Sequence, residues 1–156
     1  MLYYNLDFNV LIDALPFIIK GLWVTVLISV VSSVLAFLIG LTTAFIRNLS
    51  SPLIKFITVC WIEVTRNTPL LIQLYILYKG LPSIGIKIPA ILCGIVALSL
   101  YTGAYMSEVI RSGINSVANE QVQAARALGL TKLQTFIMIV LPQAIRIVIP
   151  PLSSQF

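Results

Sequence analysis

NEQVQAARALGLTKLQTFIMIVLP, residues 119–142, is the longest polar interruption between two long apolar segments of the chain. Glu120 to Leu128 consists of good helix formers, Asn119 is a candidate N-cap, and Gly129 stands where a helix would end. The small pair Ala124–Ala125 leaves part of that helix without bulk, so another surface can approach its backbone closely. Val122, Ala125 and Leu128 share one face at helical spacing. A short, small-faced helix between two membrane spans is what a membrane protein offers a cytoplasmic partner. An ordinary amphipathic connecting helix would read the same way from these residues alone.

Composition places the chain in lipid. The 156 residues are 59% hydrophobic and 10% charged, with a mean hydropathy of +1.03, whereas soluble domains carry about 25% charged residues. Such a chain has too little polar surface to cover a water-soluble globule. Ten basic against five acidic residues give a net charge of +5. No basic patch with interleaved aromatics accompanies that charge, so it speaks to membrane orientation and not to nucleic acid. Histidine is absent, which removes the commonest general base and metal ligand. The carboxylates Asp7, Asp13, Glu63, Glu108 and Glu120 are scattered, and no triad or metal set can be assembled. No catalytic residue, metal site or cofactor is expected. Cys60 and Cys93 lie in different apolar segments and read as small buried hydrophobes. No basic n-region precedes the first apolar run, which is too long for a leader peptide, so nothing reads as cleavable.

Apolar runs divide the chain, read as one membrane domain over 1–156, into spans near 21–46, 52–78, 90–110 and 133–152 around a loop at 116–132. The expected fold is all-α, a bundle of about four transmembrane helices with one short connecting helix. Met1 to Lys20, with its two aspartates, is read as lying along the membrane surface, and Trp23 as an interfacial anchor. Five basic residues (Arg47, Lys55, Arg111, Arg126 and Lys132) fall on the side of the 116–132 loop, against Lys20, Lys79 and Lys87 opposite. This excess puts the loop in the cytoplasm and the N-terminus outside.

Two spans carry charge. In EVTRNTPLLIQLY, residues 63–75, Glu63 and Arg66 are three apart and can pair on one helix face. Pro69 lacks a backbone donor and disfavours helix at Thr68, so the helix should break there, with Thr68 capping a new half-helix. Broken helices near the midplane are where transporters place substrate sites, and the start of a half-helix suits a carboxylate. A proline kink with an ion pair that sets packing alone is the other reading. In GAYMSEVIRSGINSV, residues 103–117, Glu108 and Arg111 form a second i, i+3 pair, read as structural. Arg146 needs protein, a carbonyl or an acidic neighbour if it sits at membrane depth.

These stretches resemble the permease subunits of ABC importers, in particular the branch that takes up polar amino acids. Residues 123–142 resemble the family's EAA loop through Ala124, Ala125, Gly129, Ile139, Leu141 and Pro142, with Gln123 at the usual Glu and Glu120 where a Gly commonly precedes Gln121. Residues 63–75 resemble its ER-x-TPLL-x-Q signature through Arg66, Thr68, Pro69, Leu70, Leu71 and Gln73, with Asn67 at a usual Gly. Ala104, Tyr105, Glu108, Arg111, Gly113, Ile114, Ser116 and Val117 match the run before the loop; Gln143, Ala144 and Pro150 continue the likeness.

The resemblance implies a type I importer bundle in the bacterial inner membrane, shorter than its family by about one further span. It implies that Gln121, Gln123, Ala124, Ala125 and Gly129 form a coupling helix docked on a cytoplasmic ATPase subunit, which alone uses ATP. Arg66, Thr68, Pro69, Leu70 and Gln73 would line the substrate pathway. An extracytoplasmic binding protein would deliver the amino acid, and a second copy or paralogue would complete the pathway within the lipid. A truncated, non-transporting remnant or assembly-only subunit is the alternative. A cysteine placed at Gln121 should resist a membrane-impermeant maleimide added to intact cells and react after permeabilisation; labelling from outside would invert the assigned orientation.

Overall fold

The computed structural model describes residues 9–49 and 51–155. All regular structure among the described residues is helical, in the order α1 (Asn9–Leu49), α2 (Pro52–Asn67), α3 (Leu70–Tyr75), α4 (Leu81–Ser83), α5 (Ala90–Asn115), α6 (Asn119–Ala127), α7 (Lys132–Thr135) and α8 (Leu141–Ser153). Wide π-turns over Ile76–Gly80 and Phe136–Val140 join α3 to α4 and α7 to α8. Among the described residues three stretches are long and apolar enough to cross a membrane: Val10–Arg47, Ala90–Asn115 and Lys132–Ser153. The second apolar segment is α2 followed by α3, separated at Thr68–Pro69, where Pro69 predicts the break.

α1 departs from expectation at its start. The helix begins at Asn9 and has 41 residues, a length of about 60 Å at 1.5 Å per residue, twice a hydrocarbon core of about 30 Å. The part of Met1–Lys20 that is described continues the span's axis instead of lying along the surface, and residues 1–8 lie outside the described residues. Trp23 is exposed well inside α1 and not at its end. Pro16, Pro150 and Pro151 stand within unbroken helices, as membrane helices tolerate.

α5 is the centre of the bundle. Against α1 it packs through small residues at four-residue spacing, Ser32, Ala36 and Gly40 facing Ser99, Gly103 and Ser107. A Cβ on Gly40 would come within 2.7 Å of the Met106 Cβ, and one on Gly103 within 2.8 Å of the Ile39 Cγ2. Ser32 Oγ donates a long hydrogen bond of 3.4 Å to the Ile95 carbonyl. Contacts advance together along both helices, from Ser32–Ile95 to Gly40–Gly103 to Arg47–Glu108, so α1 and α5 run parallel. Between membrane helices there is no water-driven hydrophobic term, so close backbone approach and dispersion contacts hold such a pair.

α8 packs antiparallel on the far half of α5. Ile110 and Val148 join Ala44 in one buried cluster, and Val117, Val140 and Ala144 make a second. Gly113 lies against Val148 so closely that a Cβ there would overlap its Cγ2. This pairing places Arg146 beside the last turns of α5, near the level of Arg111 and Gly113, and its side chain is exposed. Between α1 and α8 an apolar groove of about 570 Å³ stays open, lined by Phe37, Leu41, Phe45, Ile137, Ile145 and Ile149 among others.

Filling the crossing should separate the two parallel helices. Gly40→Leu or Gly103→Leu is expected to cost about 1–3 kcal/mol or more through overpacking, seen as a lower melting temperature of the detergent-solubilised chain. Gly94→Ala, where a Cβ meets nothing within 4 Å, should leave it unchanged.

Candidate functional site: the broken helix and the connecting helix

The break in the second segment is held by a set of side-chain hydrogen bonds to the backbone. A helix ending at Asn67 leaves its last carbonyls without backbone donors. Those of Val64, Thr65 and Arg66 take side-chain donors instead, as do the flanking Glu63 and Thr68 carbonyls. Asn67 Nδ2 donates to the Glu63 carbonyl at 2.7 Å and Thr68 Oγ1 to the Val64 carbonyl at 2.7 Å. Gln73 Nε2 bridges the gap, donating to the Thr65 and Thr68 carbonyls, each at 2.9 Å. Tyr105, from α5, donates to the Arg66 carbonyl at 3.2 Å. Thr68 therefore closes α2 and does not cap α3, whose N-cap position is Pro69. Pro69 is exposed and Leu70 half-buried at the turn.

Arg66 does not pair with Glu63, which corrects the expected ion pair. Its guanidinium lies over the Tyr105 ring, 5.1 Å from the centroid, a cation–π contact. Tyr101 stacks beside Tyr105 with centroids 5.0 Å apart, and its hydroxyl lies 3.4 Å from that of Tyr105. Glu63 is exposed and takes Asn67 Nδ2 on Oε2 at 3.2 Å. Cys60, one turn earlier, is exposed and not buried as expected, while Cys93 is buried.

Glu108 does pair with Arg111, Nη2 to Oε2 at 2.9 Å. Arg47 joins from the end of α1, donating to Glu108 Oε1. Sequence reading missed Arg47's part in this cluster. The residue stood out as the charge that closes an apolar run, but only the parallel pairing of α1 and α5 brings it to Glu108. The three-residue cluster fastens both helices just before the chain enters the connecting loop.

α6 begins one residue earlier than a cap at Asn119 would require; Ala118 holds the cap position, with φ −57° and ψ 130°. Its end is as expected. Gly129 has φ +86°, the left-handed conformation that glycine adopts freely. The Leu130 amide reaches the Ala125 carbonyl at 3.2 Å and the Gly129 amide the Arg126 carbonyl at 3.0 Å, the paired bonds of a Schellman ending. Ala125 is buried, and Val122 is half-buried in a cluster with Val117, Phe136 and Val140. Leu128 leaves the expected common face and is 81% exposed, because the helix has ended before it. Gln123 and Ala124 are exposed, and Gln121 Oε1 accepts from Gln143 Nε2 at 2.5 Å, tying α6 to α8. Thr131 and Gln134 then start α7 with a reciprocal capping box, at 2.9 and 3.2 Å.

A helix break bonded by side chains, a charge cluster below it and a short helix tied to α8 are features of one membrane bundle. Comparison with known proteins identifies which kind. Residues 36–156 match the family model described as binding-protein-dependent transport system inner membrane component. The chain is 38% identical over 151 residues to the probable glutamine ABC transporter permease protein GlnM of Bacillus subtilis, covering 97% of this chain and 70% of that one. It is 37% identical over 152 residues to the arginine transport system permease protein ArtQ of the same organism, covering 97% and 69%. Among solved structures, that of an amino acid ABC transporter with histidines superposes with a TM-score of 0.89 at 36% identity, covering 97% of this chain and 71% of that chain. The MetNI methionine ABC transporter shares the fold, with a TM-score of 0.70 at 18% identity.

The chain belongs to the binding-protein-dependent transport system inner membrane component family. It is a multi-pass permease with the type I ABC importer fold, a membrane component and not a catalytic enzyme.

The charge cluster gives an ordered expectation. Glu108→Gln removes the negative charge that two guanidiniums share and one of its two acceptor oxygens, and should destabilise the solubilised chain by about 1.5–3 kcal/mol. Arg47→Leu, which leaves Glu108 paired with Arg111, should cost less in the same thermal melt.

Proposed function

We propose that this chain is the membrane subunit of an ATP-driven importer that moves polar amino acids across the bacterial inner membrane by alternating access. The observation that carries the reading is the seating of α6. On its inner side Ala125 is buried and Val122 packs with Ile114 of α5 on the Val117–Val140–Ala144 cluster, and Gln121 is bonded to Gln143 of α8. Its outer face offers Gln123 and the small Ala124 to an approaching surface. Force applied to α6 is thus delivered to two spans at once. A cytoplasmic ATPase subunit binds and hydrolyses ATP and docks on Gln121, Gln123, Ala124 and Gly129, with Ala125 holding the helix from behind. The chain itself takes no cofactor.

In this reading the N-terminus is outside, where a binding protein delivers cargo. A second copy or a paralogue supplies the other half of the pathway. Arg66, Thr68, Pro69, Leu70 and Gln73 place the helix break on that pathway, and Arg66 is their charged member. The relatives named for glutamine and arginine transport make L-glutamine and L-arginine the natural probes.

The open apolar groove between α1 and α8 favours a second reading, a remnant or assembly-only subunit that does not transport. Ala124→Trp separates the two. In an importer it should leave insertion intact, abolish stimulation of the ATPase by loaded binding protein, and lower uptake by about tenfold or more, the loss of roughly 1.4 kcal/mol of coupling. Normal uptake in that variant removes the docking role, and an ATPase that co-purifies without ever being stimulated selects the second reading.

A further inference from the structure

Glu63 and Arg66 carry opposite charges three residues apart on α2, within reach of one another. They do not meet. Among the described residues the ion pairs are Arg47–Glu108 and Glu108–Arg111, so Glu63 has no cationic partner there. Arg66 is turned onto the Tyr105 ring, and its buried Nε has no hydrogen-bond partner. Asn67 holds the Glu63 carboxylate at 3.2 Å while its amide is anchored on the Glu63 carbonyl at 2.7 Å. The carboxylate is therefore oriented without being neutralised.

Position along the membrane sharpens the point. Glu63 lies eleven residues beyond Pro52, the first residue of α2, about 17 Å along the axis of a helix entering a core of about 30 Å. Ile62 and Thr65 bury the opposite side of the helix against the bundle. Ionised groups at such depth face protein or water and not lipid. Two opposite charges that are fixed, neighbouring and unpaired match a molecule that carries both charges on one carbon.

We propose that Glu63 accepts the ammonium group of a zwitterionic α-amino acid whose carboxylate is held by Arg66. The Arg66 fork offers paired donors to a carboxylate. Glu63 offers acceptors to the three ammonium hydrogens, and Tyr105 and Asn67 act as positioning residues for the two charges. Both contacts are to groups that every α-amino acid shares, so the site recognises the class and leaves the cargo side chain to other walls. The inference rests on the importer reading above and assigns Glu63, expected from sequence to be structural, to cargo recognition.

The test uses the full chain in lipid nanodiscs, with fluorescence of the half-buried Trp61 as the signal. L-glutamine and L-arginine are titrated beside their deaminated counterparts, glutaramic acid and 5-guanidinopentanoic acid. The wild type should prefer at least one amino acid over its deaminated counterpart by about tenfold or more. Glu63→Gln should erase that preference, weakening the amino acid and leaving the deaminated compound and the melting temperature unchanged. Arg66→Lys should weaken both compounds. A Glu63→Gln chain that keeps the preference overturns the assignment. If Arg66→Lys still weakens both compounds in that case, the importer reading stands without it. A wild type that prefers neither amino acid also overturns the assignment, and if deleting the gene then leaves cellular uptake of both intact, the importer reading falls as well.

Discussion

The close approach of α1 and α5 is the constraint on which the rest depends. Lipid offers no hydrophobic reward for joining two apolar helices, so the pair is held by what its surfaces allow. Ser32, Ala36 and Gly40 against Ser99, Gly103 and Ser107 allow near-contact of backbones over several turns. Once that pairing is fixed in parallel, its lower end brings Arg47 to Glu108. The position of α8 follows from Gly113, and that of α6 from the valine cluster just beyond. α5 thus touches the break through Tyr105 and the first helix through Glu108, and Val117 just beyond its end packs against the connecting helix.

The break shows the same economy. In water, the orphaned carbonyls at the end of α2 would be solvated; at membrane depth each one left bare is costly. The residues that make the segment look polar in sequence are largely those that meet this demand. Asn67, Thr68 and Gln73 turn their donors to the backbone. That leaves the two ionisable side chains, Glu63 and Arg66, as the groups not spoken for by helix termination.

Much of this was legible in the residues alone. Composition gave a membrane protein, Pro69 gave the break, Gly129 gave the end of α6, and the i, i+3 spacing gave Glu108–Arg111. What failed, failed for want of tertiary information. Spacing allowed Glu63 to pair with Arg66, but an aromatic ring on another helix competed for the guanidinium. Arg47 had no visible partner because its partner is 61 residues away. Leu128 was assigned to a helical face that the Gly129 turn had already ended. Cys60 was assumed buried because it is apolar, whereas in lipid an apolar residue has no reason to turn inward.

The two wide turns share a setting that explains them. Each ends at a leucine whose amide reaches back five residues, Leu81 to Ile76 and Leu141 to Phe136, and each leucine is followed by proline. A proline at that point would collide with the carbonyl four residues earlier in a regular helix and could not donate to it. Widening one turn accommodates the ring and keeps the rod whole. It also inserts one residue into the winding, which rotates everything on one side by about 100° relative to the other. The Thr131–Gln134 box and the groove-lining side of α8 therefore keep their mutual bearing only while that extra residue is present. Deleting a single amino acid between Phe136 and Val140 would straighten the winding and aim the whole lower arm in a new direction.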